Sequence, residues 1–189
     1  MKVFFTICAS LMLMACASGA ANLPKYFTLS APVIEASADN GSSDGRGGGL
    51  LLLKSISVAN YLSRASIALQ LSENELYYSS SNLWAEPLGE GIERALVAYA
   101  NGGIQAHNSV PELPEVTLNI DYFHIVDGKA VVLSGHYIIE RHNSEDIRFT
   151  NFSFQLPLKG SGYSYGVSRM SELVKMLGDK IVASLNADA

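Results

Sequence analysis

The N-terminal segment decides what can hold this chain together. Lys2 is followed by an apolar run from Val3 to Met14, and the run closes on Leu13-Met14-Ala15-Cys16. A positive residue, a short apolar stretch and small residues before the cut are the parts of an export signal. The stretch is too short to span a bilayer core, which takes about 20 apolar residues. Leu13, Ala15 and Cys16 stand as in a bacterial lipobox. The small residue fits the peptidase, and the thiol is the nucleophile that accepts a diacylglyceryl group. Cys8 is a poor rival, because bulky Ile7 precedes it and too little apolar chain lies upstream. The alternative is an ordinary secretory signal with an incidental cysteine. Cleavage before Cys16 discards Cys8 and leaves Cys16 carrying lipid, so the mature chain has no thiol for a disulfide, a metal site or catalysis. It would nevertheless work where disulfides can form. Burial of apolar surface is then left to hold the fold.

The same reading fixes a location. A diacylglyceryl group and an N-acyl chain, palmitate for example, hold the protein firmly, since each buried CH₂ contributes about 0.8 kcal/mol. Ala17 follows the cysteine, so no aspartate stands there as an inner-membrane retention signal. By resemblance to other bacterial lipoproteins, this favours the inner leaflet of the outer membrane, with the domain facing the periplasm. The longest later apolar run, Leu50 to Leu53, is strand-sized and is broken by Lys54.

Hydrophobic residues make up 48% of the chain and charged ones 16%, enough to fill a core rather than stay disordered. At 189 residues one domain is expected. Removing Lys2 with the signal makes the formal charge one unit more negative than −5. Such an acidic balance, with no Lys/Arg cluster, argues against nucleic acid as a partner. The division is a signal peptide over 1–15, a lipidated tether over 16–24 and a domain over 25–189, within which 35–49 is a flexible loop rich in Gly, Ser and Asp.

Lys25 to Leu29 alternates as a strand, and Leu50 to Val58 is β-rich before a short turn or helical piece over Ala59 to Ser63. Ile67 to Gln70 and Glu75 to Tyr78 read as a hairpin. Pro87 opens a helix, where its missing N–H costs least. Leu88, Ile92, Ala95, Leu96 and Tyr99 follow at helical spacing, and Asn101-Gly102-Gly103 stops it. Val116, Leu118, Ile120 and Tyr122 alternate up to the two-residue turn Asp127-Gly128. Lys129 to Arg141 returns. Ile147, Phe149 and then, out of phase, Phe152, Phe154 and Leu156 form another strand, with a bulge expected near Asn151. After a Gly160 to Gly166 loop, Val167, Met170, Leu173, Val174, Leu177, Ile181 and Leu185 make one helical stripe. The expected fold class is α+β, an antiparallel sheet packed by two main helices.

Two segments are distinctive as sequence. The first is Val58-Ala59-Asn60-Tyr61-Leu62-Ser63-Arg64, and the second is Asn82-Leu83-Trp84-Ala85-Glu86-Pro87-Leu88 running into Ile92-Glu93-Arg94-Ala95-Leu96. Their order and spacing behind a lipobox resemble the PqiC-type family of ABC-type transport auxiliary lipoproteins. Tyr26-Phe27-Thr28-Leu29 resembles the first strand of that family. Asn60 departs from it, since an acidic residue is common there. The resemblance implies a non-enzymatic lipoprotein that docks or seals the outer-membrane end of an MCE-domain tunnel carrying lipids between the membranes. A homo-oligomeric ring matching such a tunnel is left open. The alternative is a structural or assembly lipoprotein of another envelope machine.

Within the motifs, Tyr61, Leu62, Arg64, Trp84, Ala85, Glu86 and Pro87 are read as fold-defining, with a partner interface as the other role. Tyr61 and Leu62 are expected to pack, Arg64 to pair an acid or a helix carbonyl, and the Trp84 ring to enter the core rather than anchor an interface. Gly45 to Gly49 precede a strand, the reverse of a phosphate-binding loop. Asp39, Asn40 and Asp44 lack the spacing and closing glutamate of a calcium loop. His107, His124, His136 and His142 are scattered, although His124 and His136 could meet across the hairpin. No serine lies in a nucleophile elbow. No catalytic residue, metal or dissociable cofactor is expected, only the covalent lipid on Cys16.

Overall fold

The computed structural model describes residues 23–30, 51–100, 113–141 and 147–187. Their order is β1 (Lys25–Phe27), β2 (Leu52–Val58), a 3-10 turn (Asn60–Ser63), β3 (Ser66–Ser72), β4 (Glu75–Trp84), helix α1 (Leu88–Ala100), β5 (Glu115–Val126), β6 (Ala130–Glu140), β7 (Ile147–Pro157) and helix α2 (Tyr163–Asn186). Cys16, the 35–49 loop, the Asn101-Gly102-Gly103 stop, His107 and His142 lie outside the described residues.

The strands form one seven-stranded sheet in the order β1-β4-β3-β5-β6-β7, with β2 also paired to β5. β5 is its spine. β6 runs antiparallel along one side, while β2 and then β3 share the other side end to end, both parallel to β5. The 3-10 turn carries the chain from one to the other, and the Ala59 N–H donates to the Ile120 carbonyl at 2.9 Å. The α+β class is as expected, but the sheet is mixed. β3·β4, β5·β6 and β6·β7 are antiparallel, whereas β1·β4, β2·β5 and β3·β5 are parallel. The short β3–β4 and β5–β6 turns impose the antiparallel sense locally. The parallel partners are far apart in the chain, so no turn sets their direction.

Alternation sends Val116, Leu118 and Ile120 of β5 and Val131, Leu133, Tyr137 and Ile139 of β6 into the core. There they meet the α2 stripe of Val167, Met170, Leu173, Val174, Leu177 and Ile181. α1 lies beside α2 over β2. The two helices approach closely because Gly178 has no Cβ, which would stand 2.9 Å from Tyr99 Cδ1.

An extra residue interrupts β5. Ile120 pairs with Gly135 and Tyr122 with Ser134, leaving Asp121 as a bulge. Beyond it the inward phase shifts by one, to Phe123 and Ile125. Gly135 makes room for this kink: a Cβ there would lie 2.0 Å from the Asn119 carbonyl oxygen.

The bulge expected near Asn151 is absent. β6 and β7 keep one continuous register from Ala130↔Pro157 to Glu140↔Ile147. The apolar phase change in β7 is a change of face. Phe152, Phe154 and Leu156 point to the helices, while Ile147 and Phe149 point the other way and are exposed. The Gly160 to Gly166 segment is also more ordered than a loop. Gly162, at φ 89°, is followed directly by α2, so Tyr163 is helical and packs on the core.

Candidate functional site: the motif edge and the helix-free face

The two sequence motifs meet at the β3–β4 side of the sheet. Leu62 is buried in the core, while the Tyr61 hydroxyl reaches back to β5. Among the described residues no acid or helix carbonyl is paired with Arg64; its guanidinium lies over the Tyr78 ring, 4.7 Å from the centroid. The Tyr78 hydroxyl donates to the Tyr61 carbonyl at 3.3 Å, so the turn and β4 are tied together. β4 then bends where the Ser79 hydroxyl accepts from the Asn82 N–H at 2.9 Å and from the Asn82 amide at 2.8 Å. It ends on Trp84, which is buried and stacked parallel on Phe123.

Each of the next residues has a positional task. The Ala85 N–H donates to the Phe27 carbonyl at 2.9 Å, fixing the end of β1. The Pro87 carbonyl accepts from the Gly91 N–H in the first turn of α1. Glu86 forms an ion pair with Arg94, which also donates to the Leu29 carbonyl at 3.3 Å. The motif therefore locks strand exit, helix start and β1 to one another.

Among the described residues no helix covers the opposite face of the sheet. At its centre His124 is buried between Tyr61 and Tyr122, both edge-on at 6.0 Å. Gln70 donates through its amide nitrogen to the Glu73 carbonyl and offers Oε1 to His124 Nε2 at 3.0 Å. The Tyr61 oxygen stands 3.1 Å from His124 Nδ1 and equally 3.1 Å from the Asp121 carbonyl, to which its hydroxyl donates. Burial lowers the His124 pKa and pushes the Tyr61 hydroxyl up to about 12.

His136 does not meet His124. It lies opposite Asn119, whereas His124 lies opposite Val132. Its ring rests against Phe149 with centroids 4.8 Å apart, and Nδ1 stands 4.0 Å from the bulged Asp121 carboxylate. At the far end Lys54 bridges Glu115 at 2.9 Å and Glu140 at 2.7 Å, and these carboxylates raise its pKa. Ile147 pairs beside Glu140. Exposed apolar side chains are thus set next to charged groups, an arrangement suited to contact. No group of three or more His, Cys, Asp or Glu among the described residues could hold a metal ion. No described helix is long and apolar enough to cross a membrane.

The sequence matches, over residues 27–182, the family described as ABC-type transport auxiliary lipoprotein component. The chain belongs to that family. The transport auxiliary lipoproteins are not an enzyme class, and the name associates them with ABC-type transport systems. The fold is shared by solved structures. One, titled only an uncharacterized protein, is 18% identical with a TM-score of 0.68, covering 86% of this chain and 98% of its own. Another, protein XCC0632 from Xanthomonas campestris of family-model DUF330, is 11% identical with a TM-score of 0.64, covering 87% of this chain and all of its own. No curated protein matches the sequence.

Sequence reasoning overlooked Ile147 and Phe149 as surface residues, the Asp121 bulge in β5, Gln70 as the His124 partner, and Arg94 as the partner of Glu86. The bulge did leave a trace, since Ile120 and Phe123 are three apart where alternation requires two.

Proposed function

We propose that this auxiliary lipoprotein is held on the inner leaflet of the outer membrane by lipid on Cys16 and serves, without enzymatic activity, as the partner of an MCE-domain tunnel protein that moves lipids between the inner and outer membranes. Loss of the protein would then weaken the envelope. The family match over 27–182 carries this reading, because the family is described as an auxiliary component of ABC-type transport. The lipobox supports the location. The helix-free face supports the mode of action. Ile147 and Phe149 give an apolar centre, flanked by His136, Asp121 and the Lys54 bridge, as a contact patch with a polar rim requires.

The motif residues Tyr61, Leu62, Arg64, Trp84, Ala85, Glu86 and Pro87 act in this reading by shaping the fold. The test is a crosslinked capture of the tagged, lipidated protein from whole envelopes, with mass spectrometry of what accompanies it. Recovery of an MCE-domain protein supports the proposal. Recovery of components of another envelope machine, with no MCE-domain protein, overturns it.

A further inference from the structure

The exposed large apolar side chains of the described residues fall into separate groups. Leu23, Tyr26, Leu71 and Tyr77 are 79%, 63%, 42% and 46% exposed and lie on or beside β1, β3 and β4. Ile147 and Phe149 lie on β7, at the opposite edge of the sheet, with Tyr122 between the groups.

Strand direction separates the groups along the other axis too. Glu115, at the start of β5, pairs with Glu140, which pairs with Ile147. Gln70 pairs with Val126 at the end of β5, so the β3–β4 hairpin with Leu71 and Tyr77 projects from that opposite end. β1 runs parallel to β4 and away from this hairpin, so the chain enters β1 from the hairpin side. Leu23 follows Cys16 by seven residues. At no more than about 3.6 Å per residue, the anchor lies within about 25 Å of Leu23.

We propose that the corner formed by Leu71 and Tyr77 at the β3–β4 hairpin, with Leu23 entering from the same side, rests on the surface of the phospholipid bilayer that holds the anchor, so that the domain stands with the Ile147 end of β7 turned away from the membrane. The inference depends on Cys16 being the lipidated residue. A tether alone leaves orientation free, and a second contact on the same surface removes that freedom. Tyrosine suits the boundary between headgroups and acyl chains, with an apolar ring and a polar tip, and leucine adds apolar area. At this end Lys129 is paired with Asp127 and stands with Glu73 and Glu75, so the contact draws on apolar burial rather than on positive charge. The β7 patch is left free for a partner arriving from the periplasm.

Lipidation of Cys16 leaves no free thiol in the mature chain, so one new cysteine takes a fluorophore uniquely. Ser72→Cys reports on the corner and Ile147→Cys on the far end. Each lipidated protein is placed in vesicles of phosphatidylethanolamine and phosphatidylglycerol carrying a headgroup-linked nitroxide quencher. The label at 72 should be quenched several-fold more than the label at 147. Equal quenching, with acyl mass confirmed on the N-terminal peptide, overturns the orientation alone. A chain recovered without acyl mass on Cys16 overturns the anchor as well.

Discussion

The Trp84 indole stacks on the Phe123 ring with centroids 6.4 Å apart and planes 9° from parallel. This pair joins the end of β4, just before α1, to the stretch of β5 beyond the Asp121 bulge. It explains why a single tryptophan sits beside a helix-opening proline. The ring fills the space where the two segments come together, and its neighbours in the chain are occupied with backbone bonds to β1 and α1.

Trp84→Ala should therefore lower stability by about 3–5 kcal/mol, the usual cost of emptying a buried aromatic site. Urea unfolding of the unlipidated domain measures this directly. An unchanged midpoint with lost partner binding would reassign Trp84 to an interface.

Gly135→Ala should be among the most damaging small substitutions in the sheet. The added Cβ meets a backbone carbonyl at 2.0 Å, and no side chain can swing aside to admit it. Overpacking typically costs about 1–3 kcal/mol, and a clash with backbone belongs at the upper end. Thermal unfolding should show a large drop in midpoint or no cooperative transition. A midpoint within a few degrees of the parent would mean that the bulge at Asp121 relaxes freely.

His124 makes stability depend on pH. Its pKa is lowered by burial, so the unfolded chain, titrating near 6.5, takes up a proton more readily than the folded one. The His124 contribution is complete above that value and is lost as pH falls from there through the lower folded pKa. Unfolding free energies measured between about pH 7 and pH 5 should fall less steeply for His124→Gln than for the parent. Equal slopes would show that folded and unfolded chains protonate His124 alike.

Cys16→Ala should give a folded domain that no longer sediments with membranes and no longer supports function in the cell. Fractionation in high salt reads the result, since salt removes adsorbed protein but not an acyl anchor. Retention with the membrane would place the anchor elsewhere.

What the sequence made legible, and what it concealed, follows from the range of the interactions concerned. The Asp127-Gly128 turn was readable because both residues need positive φ, here 47° and 62°, and that chemistry is local. Both helices were readable from their stripes. The phase change in β7 was noticed but misread, because a bulge and a change of face shift the apolar pattern by the same single residue. Only pairing with β6 separates them, and there the register is unbroken. The parallel pairings were hidden because partners such as Leu52 and Glu115 are joined by no turn. Arg64 found an aromatic ring instead of an acid, a contact that no sequence spacing announces. The face bearing Phe149 could not be recognised until the helices were known to lie on the other side.

A photoreactive amino acid at position 149, in the lipidated protein on intact envelopes, tests the proposed partnership most directly. Irradiation should yield a crosslinked band containing an MCE-domain protein. The same group at Glu172, on the outer side of α2, should not. Crosslinks to an MCE-domain protein from 172 but not from 149 would contradict the assignment of the helix-free face. An absence of any such crosslink from either site, with the bait intact in the outer membrane, would contradict the partnership itself.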